Sequence, residues 1–243
     1  MNRITFSIVV LLFLFIFSQT TLIGTPKMDK FTFGEDNLNI HFIGHGTLML
    51  DFNGTIIHID PVKQFGDYDS KPKADIILIT HAHGDHLDID AISKITKNDT
   101  KLILNQDAFS KVNKGIVLTN GKSFKIKNIN IKAVPAYNTT EGRDKYHPKG
   151  RDNGYVLTLG NKQIYIAGDT EDIPEMKNLK NIEIAFLPMN QPFTMTPEQV
   201  VNAVKIIKPK ILYPYHFGDT DLSKLQKLME NIKNVELRLR DLK

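Results

Sequence analysis

The ten residues ITHAHGDHLD, at 79–88, place three histidines and an aspartate at the spacing H-x-H-x-D-H. These residues are His81, His83, Asp85 and His86, and the whole chain of 243 residues has only eight histidines. Neutral imidazoles and carboxylates are ligands for Zn²⁺, Fe and Mn. Crowded together without a cation, four such groups would repel one another or require costly burial, whereas a bound cation makes their proximity favourable. The pattern therefore predicts a metal site.

Three further candidate ligands stand next to predicted strands. His147 lies in a loop before a strand, Asp169 follows the strand QIYI, and His216 follows the strand KILY. The histidine-rich loop itself follows ADIILIT, a continuous apolar run typical of a strand that is buried on both faces. Because sites in α/β proteins are built at strand ends, these side chains are expected to converge. Seven ligands are too many for one tetrahedral ion and fit two adjacent ions.

The composition narrows the available chemistry. The absence of cysteine excludes disulfides, cysteine zinc sites and thiol nucleophiles, and it leaves histidine and carboxylate as the metal ligands. The net charge of +4 comes from scattered lysines rather than a basic block, so we expect no nucleic-acid partner. The length is sufficient for one large domain or two small ones.

The first residues form a separate hydrophobic segment. Arg3 and the terminal amine precede a largely apolar run at 4–17, which suits the core of a signal peptide. Extended to Gly24, the segment could just span a membrane as an uncleaved anchor. We expect residues 1–24 to be a signal peptide or an N-terminal membrane anchor, and the domain to be extracytoplasmic, with a cytoplasmic domain as the alternative.

Residues 31–243 read as one α/β domain with more strand than helix. Short β-rich runs are separated by Gly or Asn-Gly turns, and two hairpins are predicted to turn at 127–128 and 160–161. A first helix is predicted at 87–96, directly after the histidine-rich loop, because the apolar residues there have helical spacing. A second helix is predicted at 196–207, with Thr196 as its cap and Pro197 at its first position, and a third at 221–232.

These motifs together resemble the metallo-β-lactamase superfamily from about residue 38 onwards. The resemblance rests on THAHGDH, with IDP at 59–61, AGDT at 167–170 and PYH at 214–216. It is most similar to the branch of small single-domain metal-dependent hydrolases that includes the ascorbate-6-phosphate lactonase-like proteins. The resemblance implies a four-layer αββα sandwich with the metals at one edge.

The resemblance also implies a cofactor and a ligand set. Two divalent ions are expected, with Zn²⁺ as the first choice and Mn or Fe as alternatives. One ion would be held by His81, His83 and His147, and the other by Asp85, His86 and His216, with Asp169 bridging them.

The implied activity is metal-dependent hydrolysis of a small molecule. A hydroxide shared by the two ions would cleave a small ester, lactone, amide or phosphodiester, with Asp85 as both ligand and proton acceptor. The alternative is an exported, non-catalytic protein of the same fold that binds metal or another ligand. A third possibility is oxidation at a single iron, against which the complete second ligand set argues.

Several other polar residues lie near the ligand loops. His41 and His58 alternate with apolar residues in strands and need no function, while Asp60 could orient a ligand or cap a turn. Oligomeric state stays open. Candidate substrate contacts are His45, Tyr137, Asn138 and Tyr215, and His45 could instead support a metal ligand. The basic residues Arg143, Lys145, Lys149 and Arg151 could meet an anionic substrate or could belong to a solvated loop.

Overall fold

The computed structural model describes residues 27–243, so the predicted signal or anchor segment at 1–24 lies outside the described residues. Within 27–243, no helix is both long enough and apolar enough to cross a membrane. The first strand, Met28–Phe33, begins shortly before the domain start predicted at residue 31, because it pairs along its whole length with the next strand.

The first sheet has seven strands in chain order. Its first four strands pair antiparallel, and the last three are added in parallel. One turn is Asn53-Gly54, where both residues have a positive φ (49° and 79°), the combination favoured in two-residue hairpin turns. The strands are β1 (Met28–Phe33), β2 (Asp36–Gly44), β3 (Thr47–Phe52), β4 (Thr55–Ile59), β5 (Ile76–Leu78), β6 (Lys101–Leu104) and β7 (Ile116–Val117).

The second sheet also has seven strands. Four strands form an antiparallel meander that includes both predicted hairpins, and three more are added in parallel. These strands are β8 (Ser123–Ile126), β9 (Ile129–Ala136), β10 (Asp152–Leu159), β11 (Lys162–Ile166), β12 (Ile182–Pro188), β13 (Ile211–Tyr215) and β14 (Glu236–Leu237).

The α-helices within 27–243 are short, and each is stabilised at its start by a side-chain cap. Thr196 accepts from the Gln199 amide and Gln199 returns the bond, a reciprocal capping box. The helix at Gln106–Val112 was not predicted from the sequence, because a helix of only about two turns carries little periodic signal. The helices are α1 (Ile89–Ile95), α2 (Gln106–Val112), α3 (Pro197–Ile207) and α4 (Leu222–Met229), with a 3₁₀ helix at Pro174–Asn178.

The core lies between the two sheets, and helices cover both outer faces. In β5, Ile76 and Leu78 face the second sheet, while Ile77 packs with Ile92 and other residues of α1. This two-sided burial explains the continuous apolar run. On the other side, α3 packs against β12 of the second sheet, and α4 packs against α3. The architecture confirms the predicted αββα sandwich. Truncating a core side chain such as Ile57 to alanine should cost about 2–5 kcal/mol.

Candidate metal centre

The predicted ligands lie at one edge of the sandwich. His81 follows β5, Asp169 follows β11 and His216 follows β13, so each comes after the carboxyl end of a strand that has a parallel neighbour. His147 precedes β10, which runs antiparallel to β11, and therefore lies at the same edge. The topology thus brings together residues from both sheets, at the place where α/β folds build their sites.

Asp169 lies at the centre of the cluster. Its Oδ2 is 3.4 Å from Nε2 of His147 and 3.4 Å from Nε2 of His216. The same oxygen is 3.8 Å from Nε2 of His81, and Oδ1 is 3.5 Å from Nε2 of His86. One buried carboxylate is therefore within 4 Å of four imidazoles, which is the placement expected of a group that bridges two cations.

The cluster divides into three groups that could each hold an ion, and two of the groups share His81. Within each group the potential ligand atoms lie within 4.8 Å of one another. Together the groups contain all seven predicted ligands and add His45, which was predicted to support a ligand or to contact substrate. The groups are His81, His83 and His147; His81, His86 and Asp169; and His45, Asp85 and His216.

Asp85 is the exposed member of the cluster. About 40% of its side chain is accessible, whereas Asp169 is almost fully buried. Its Oδ2 lies 3.2 Å from Nε2 of His45 and 3.3 Å from Nε2 of His216. Burial by itself raises the pKa of Asp85, but these two imidazoles outweigh it and hold the pKa well below its usual range. Asp85 is thus an ionised carboxylate facing the open side of the site.

Asp60 orients one of the imidazoles. Its Oδ2 lies 2.8 Å from Nδ1 of His86, and its two oxygens accept from the backbone amide and hydroxyl of Thr80 at 2.7 and 2.6 Å. Of the two readings left open by the sequence, the structure supports the orienting role. A carboxylate on Nδ1 leaves Nε2 to face the cluster.

Asp152 has the same relation to His147. Its Oδ2 lies 3.1 Å from Nδ1 of His147, while Arg151 holds the carboxylate from the other side. The sequence analysis missed this residue, since an acid at the start of a strand carries no metal signature of its own. Its five-residue separation from His147 was the only available hint.

Gly46 makes room for two of the rings. A Cβ at this position would lie 2.8 Å from Cε1 of His86 and 3.4 Å from Cδ2 of His216. Real Cβ atoms do not tolerate the first distance. Gly46, the second glycine of GHGT, is therefore required by the packing of the imidazoles against the backbone.

The electrostatics of the buried groups favour a cation. Burial lowers the pKa of His81 well below its ordinary value, and neighbouring imidazoles lower it further, so this ligand is a neutral base. Burial also lowers the pKa of His86, but the carboxylates of Asp169 and Asp60 outweigh it and raise the pKa to about 10. The buried carboxylates thus attract positive charge into the cluster.

Unpaired buried atoms provide an independent test of fit. Nε2 of His86 and Oδ1 of Asp169 are buried, lie 3.5 Å apart and have no hydrogen-bond partner within the described residues. Unpaired buried polar atoms are costly, and a cation between these two would satisfy both. Imidazoles and carboxylates are the donors of the cluster, and this set fits one or more divalent metal ions, which would displace the proton from Nε2 of His86 on binding.

The other predicted substrate contacts have partners within the protein. The Tyr137 hydroxyl donates to Glu175 at 2.8 Å, and the buried Tyr215 hydroxyl accepts from the Gly168 amide at 2.9 Å. The side-chain nitrogen of Asn138 donates to the Phe193 carbonyl at 2.7 Å and also to another backbone carbonyl. None of the three lines the cavity beside the cluster.

Three of the four basic loop residues are also engaged in the structure. Arg143 pairs with the fully buried Glu171 at 2.9 Å and donates to the carbonyls of Pro192 and Thr194. Lys149 pairs with Glu175, and Arg151 pairs with Asp152. The fourth, Lys145, is exposed, and its ammonium lies 5.0 Å from the centre of the Tyr146 ring.

A cavity of about 240 Å³ opens beside the cluster. Its wall away from the ligands comes from Tyr146, Asn190 and Phe193, none of which was predicted. Asn190 and Phe193 lie in the loop after β12, so their position after the carboxyl end of a parallel strand was the available signal. Its lining residues are His83, Asp85, Tyr146, His147, Asp169, Asn190, Phe193 and His216.

His41 and His58 stand apart from the cluster. Neither belongs to any potential ligand group in the described part of the chain. His58 is fully buried in β4, with Nε2 3.1 Å from the Pro72 carbonyl oxygen.

Comparison with known proteins identifies the family. The β-lactamase superfamily domain matches residues 39–216, and the chain belongs to this family. It is 31% identical over 198 residues to the UPF0173 metal-dependent hydrolase of Nanoarchaeum equitans, a match that covers 74% of this chain and 84% of the relative. A relative from Thermococcus kodakarensis with the same description is also 31% identical over 194 residues, covering 74% and 85%.

Solved structures agree with this assignment. A protein from Parabacteroides distasonis, assigned as a metal-dependent hydrolase, is 53% identical with a TM-score of 0.87, covering 89% of this chain and 99% of its own. A metallo hydrolase from Ignicoccus hospitalis shares the fold at 23% identity, with a TM-score of 0.70 over 84% of this chain and 95% of its own. The protein is therefore a metal-dependent hydrolase of the metallo-β-lactamase superfamily, as the sequence resemblance implied.

Proposed function

We propose that the protein hydrolyses a small ester, lactone, amide or phosphodiester with two divalent ions, Zn²⁺ being the first choice and Mn or Fe the alternatives. The observation that carries the proposal is the position of Asp169, whose two carboxylate oxygens each face imidazole nitrogens within 4 Å. A single carboxylate placed between two sets of histidines is suited to bridging two ions.

Each ion would take its ligands from two parts of the chain. His81, His83 and His147 would hold the first ion, and Asp85, His86 and His216 would hold the second. Asp60 and Asp152 would keep Nε2 of His86 and His147 directed at the ions. His45 contacts Asp85 and would hold that carboxylate in place.

When bound, the ions supply Lewis-acid polarisation and lower the pKa of water towards neutrality. The residues around them supply the rest of the chemistry. Asp85 is ionised, faces the cavity and can accept at Oδ2 the proton of the attacking water. Tyr146 and Phe193 shield part of the cavity from bulk water.

The test combines metal analysis with an activity screen. Purified protein should be stripped with a chelator, reloaded with Zn²⁺, Mn²⁺ or Fe²⁺ and analysed for metal per chain. The same samples should be assayed with lactones, phosphodiesters, N-acyl amides and phospholipids. We expect two ions per chain and turnover that returns with metal. A stoichiometry that stays at one under saturating metal would contradict the two-ion proposal, and absence of turnover across the screen would contradict the reaction class.

A further inference from the structure

The cavity beside the metal centre has two chemically different sides. One side carries the candidate ligands, and the other is formed by Tyr146, Asn190 and Phe193. The rings of Tyr146 and Phe193 pack edge to face, with centroids 5.0 Å apart and planes at 77°. This geometry is favourable for aromatic pairs and makes a continuous apolar wall.

The aromatic wall is fixed in place by the protein backbone. Arg143 donates to the carbonyls of Pro192 and Thr194 on either side of Phe193, and Asn138 donates to the carbonyl of Phe193 itself. The loop that carries Phe193 is thus tied to the loop that carries Tyr146. Phe193 is nevertheless 39% exposed, which is unusual for a large apolar residue in a well-anchored loop.

Asn190 supplies the polar group of this side. Its backbone is held by Thr194, but its side-chain amide makes no hydrogen bond with any residue from 27 to 243. A Cβ at Gly218 would come within 2.8 Å of Oδ1 of Asn190, so glycine at 218 leaves space for the amide. The uncharged side-chain amide of Asn190, which can both donate and accept a hydrogen bond, therefore borders the cavity without a partner among the described residues.

Among residues 27–243, no lysine or arginine lines the cavity. Three of the nearby basic side chains are paired with Glu171, Glu175 and Asp152, and Lys145 lies outside, near the Tyr146 ring. An anionic group that entered the aromatic side would lose its hydration without gaining a cation. Only the metal end of the cavity can compensate a negative charge.

Building on the proposed hydrolytic function, we infer that Tyr146, Phe193 and Asn190 form the specificity pocket. The pocket accepts an uncharged substituent that has a small aryl or short alkyl group next to a hydrogen-bonding group such as a carbonyl or amide. The preferred substrates are accordingly neutral acyl compounds, namely esters, lactones or amides, rather than phosphate esters or compounds with a second anionic group. The volume of about 240 Å³ suits a substituent of benzyl size.

The activity test uses acyl esters with one common leaving group. Metal-loaded protein should be assayed with para-nitrophenyl phenylacetate, para-nitrophenyl acetate, the mono-para-nitrophenyl ester of succinic acid and bis(para-nitrophenyl) phosphate. We expect kcat/KM for the phenylacetate to exceed that for the succinate ester by about 10-fold or more. Phe193→Ala should remove this advantage, mainly through a higher KM for the phenylacetate. Ile89→Ala, which truncates another exposed apolar side chain that does not line the cavity, should change neither.

The binding test does not depend on turnover. NMR titration of metal-loaded protein with phenylacetamide should shift the side-chain amide resonance of Asn190. Asn190→Ala should weaken binding about 3- to 10-fold, the value of one hydrogen bond. Phe193→Ala should also weaken binding, and Asn161→Ala, an exposed amide in the β10–β11 turn, should not.

The outcomes separate the two proposals. Ester hydrolysis that prefers the succinate or phosphate compound, with a preference lost in Lys145→Ala, overturns the inference and leaves the hydrolytic function standing. Equal binding of phenylacetamide by wild type and both cavity variants also overturns it. Binding that depends on Phe193 and Asn190, without hydrolysis of these esters or of any lactone, phosphodiester, N-acyl amide or phospholipid in the wider screen, supports the pocket and contradicts the proposed reaction.

Discussion

Oδ2 of Asp60 lies 2.8 Å from Nδ1 of His86, and both side chains are fully buried. A buried carboxylate at Nδ1 determines which nitrogen carries the proton, and so leaves Nε2 as the lone-pair donor. That nitrogen faces Asp169 and Asp85 at 3.5 and 3.7 Å. Asp60, which directly follows β4, therefore orients His86, a proposed ligand of the second ion.

We expect Asp60→Asn to weaken the second ion by about 10- to 100-fold, the usual effect of removing a carboxylate behind a histidine ligand. The first ion should be affected much less, because His147 is supported by Asp152 instead. Competition with a chromophoric chelator measures both affinities. Asp152→Asn should give the reverse pattern, and the exposed Asp144→Asn should change neither. Equal weakening of both ions by Asp60→Asn would contradict the assignment of His86 to one site.

Asp85→Asn should nearly abolish turnover while much of the first-site metal remains. The amide is close in shape but is a poorer ligand and cannot accept the proton, and loss of a general base costs about 10²–10⁴ in rate. Metal content and kcat should be measured on one sample, with the exposed Asp90→Asn as control. If the variant keeps more than about a tenth of the rate, the activation barrier has risen by less than about 1.4 kcal/mol. That result would remove Asp85 from the proposed mechanism.

His58 should make the protein less stable in mild acid. Burial lowers its pKa from 6.5 to about 4, so the unfolded chain takes up the proton first as the pH falls. The resulting stability is complete above the unfolded pKa and is lost progressively as the pH falls towards the folded pKa. The loss should be about 2 kcal/mol between about pH 7 and about pH 5.

Urea unfolding at the two pH values measures this dependence. His58→Gln should flatten it by that amount relative to wild type, and an unchanged slope would show that His58 is not the group responsible.

We also expect His58→Ala and His41→Ala to keep the metal and most of the activity, because neither residue belongs to a candidate ligand group. Loss of metal from a folded variant of either kind would show that the ligand set is wrong.

Arg143 should contribute to stability rather than to substrate charge recognition. Its guanidinium faces Glu171, which is fully buried and also accepts from the backbone and hydroxyl groups of Thr139 and Thr140. Arg143→Ala leaves this carboxylate without its cation, and we expect a loss of about 3 kcal/mol of unfolding free energy. The exposed Lys145→Ala should stay within about 0.5 kcal/mol. Denaturant midpoints provide the comparison.

We propose that residues 1–24 direct the domain out of the cytoplasm, either as a cleaved signal or as an anchor. The motivation is Arg3 followed by the largely apolar run at 4–17. In cells that express the full chain, fractionation should find the domain in the exported or membrane fraction, whereas a variant that lacks residues 2–24 should stay in the cytoplasm. Full-length protein recovered as a soluble cytoplasmic species would contradict the proposal.

The sequence alone determined the class of protein and the set of candidate ligands. Histidine spacing in a short loop is a local property, so the metal chemistry could be predicted from the residues themselves. Continuous apolar runs identify buried strands and indicated an α/β domain, and the resemblance to the metallo-β-lactamase superfamily implied the αββα sandwich. The loop HAHGDH could be placed after a buried strand for the same reason. Convergence of His147, Asp169 and His216 followed from their common position next to strand ends.

Only the tertiary structure decided how the side chains around those ligands are used. His45 joins the candidate ligand groups, and Asp152 supports His147, because chain segments far apart in sequence meet at one edge. Arg143 was a candidate for an anionic substrate, yet it binds Glu171 and the carbonyl of Thr194, a residue 51 positions away. A charged side chain takes whichever partner best offsets its desolvation, and that partner is known only when long-range packing is known.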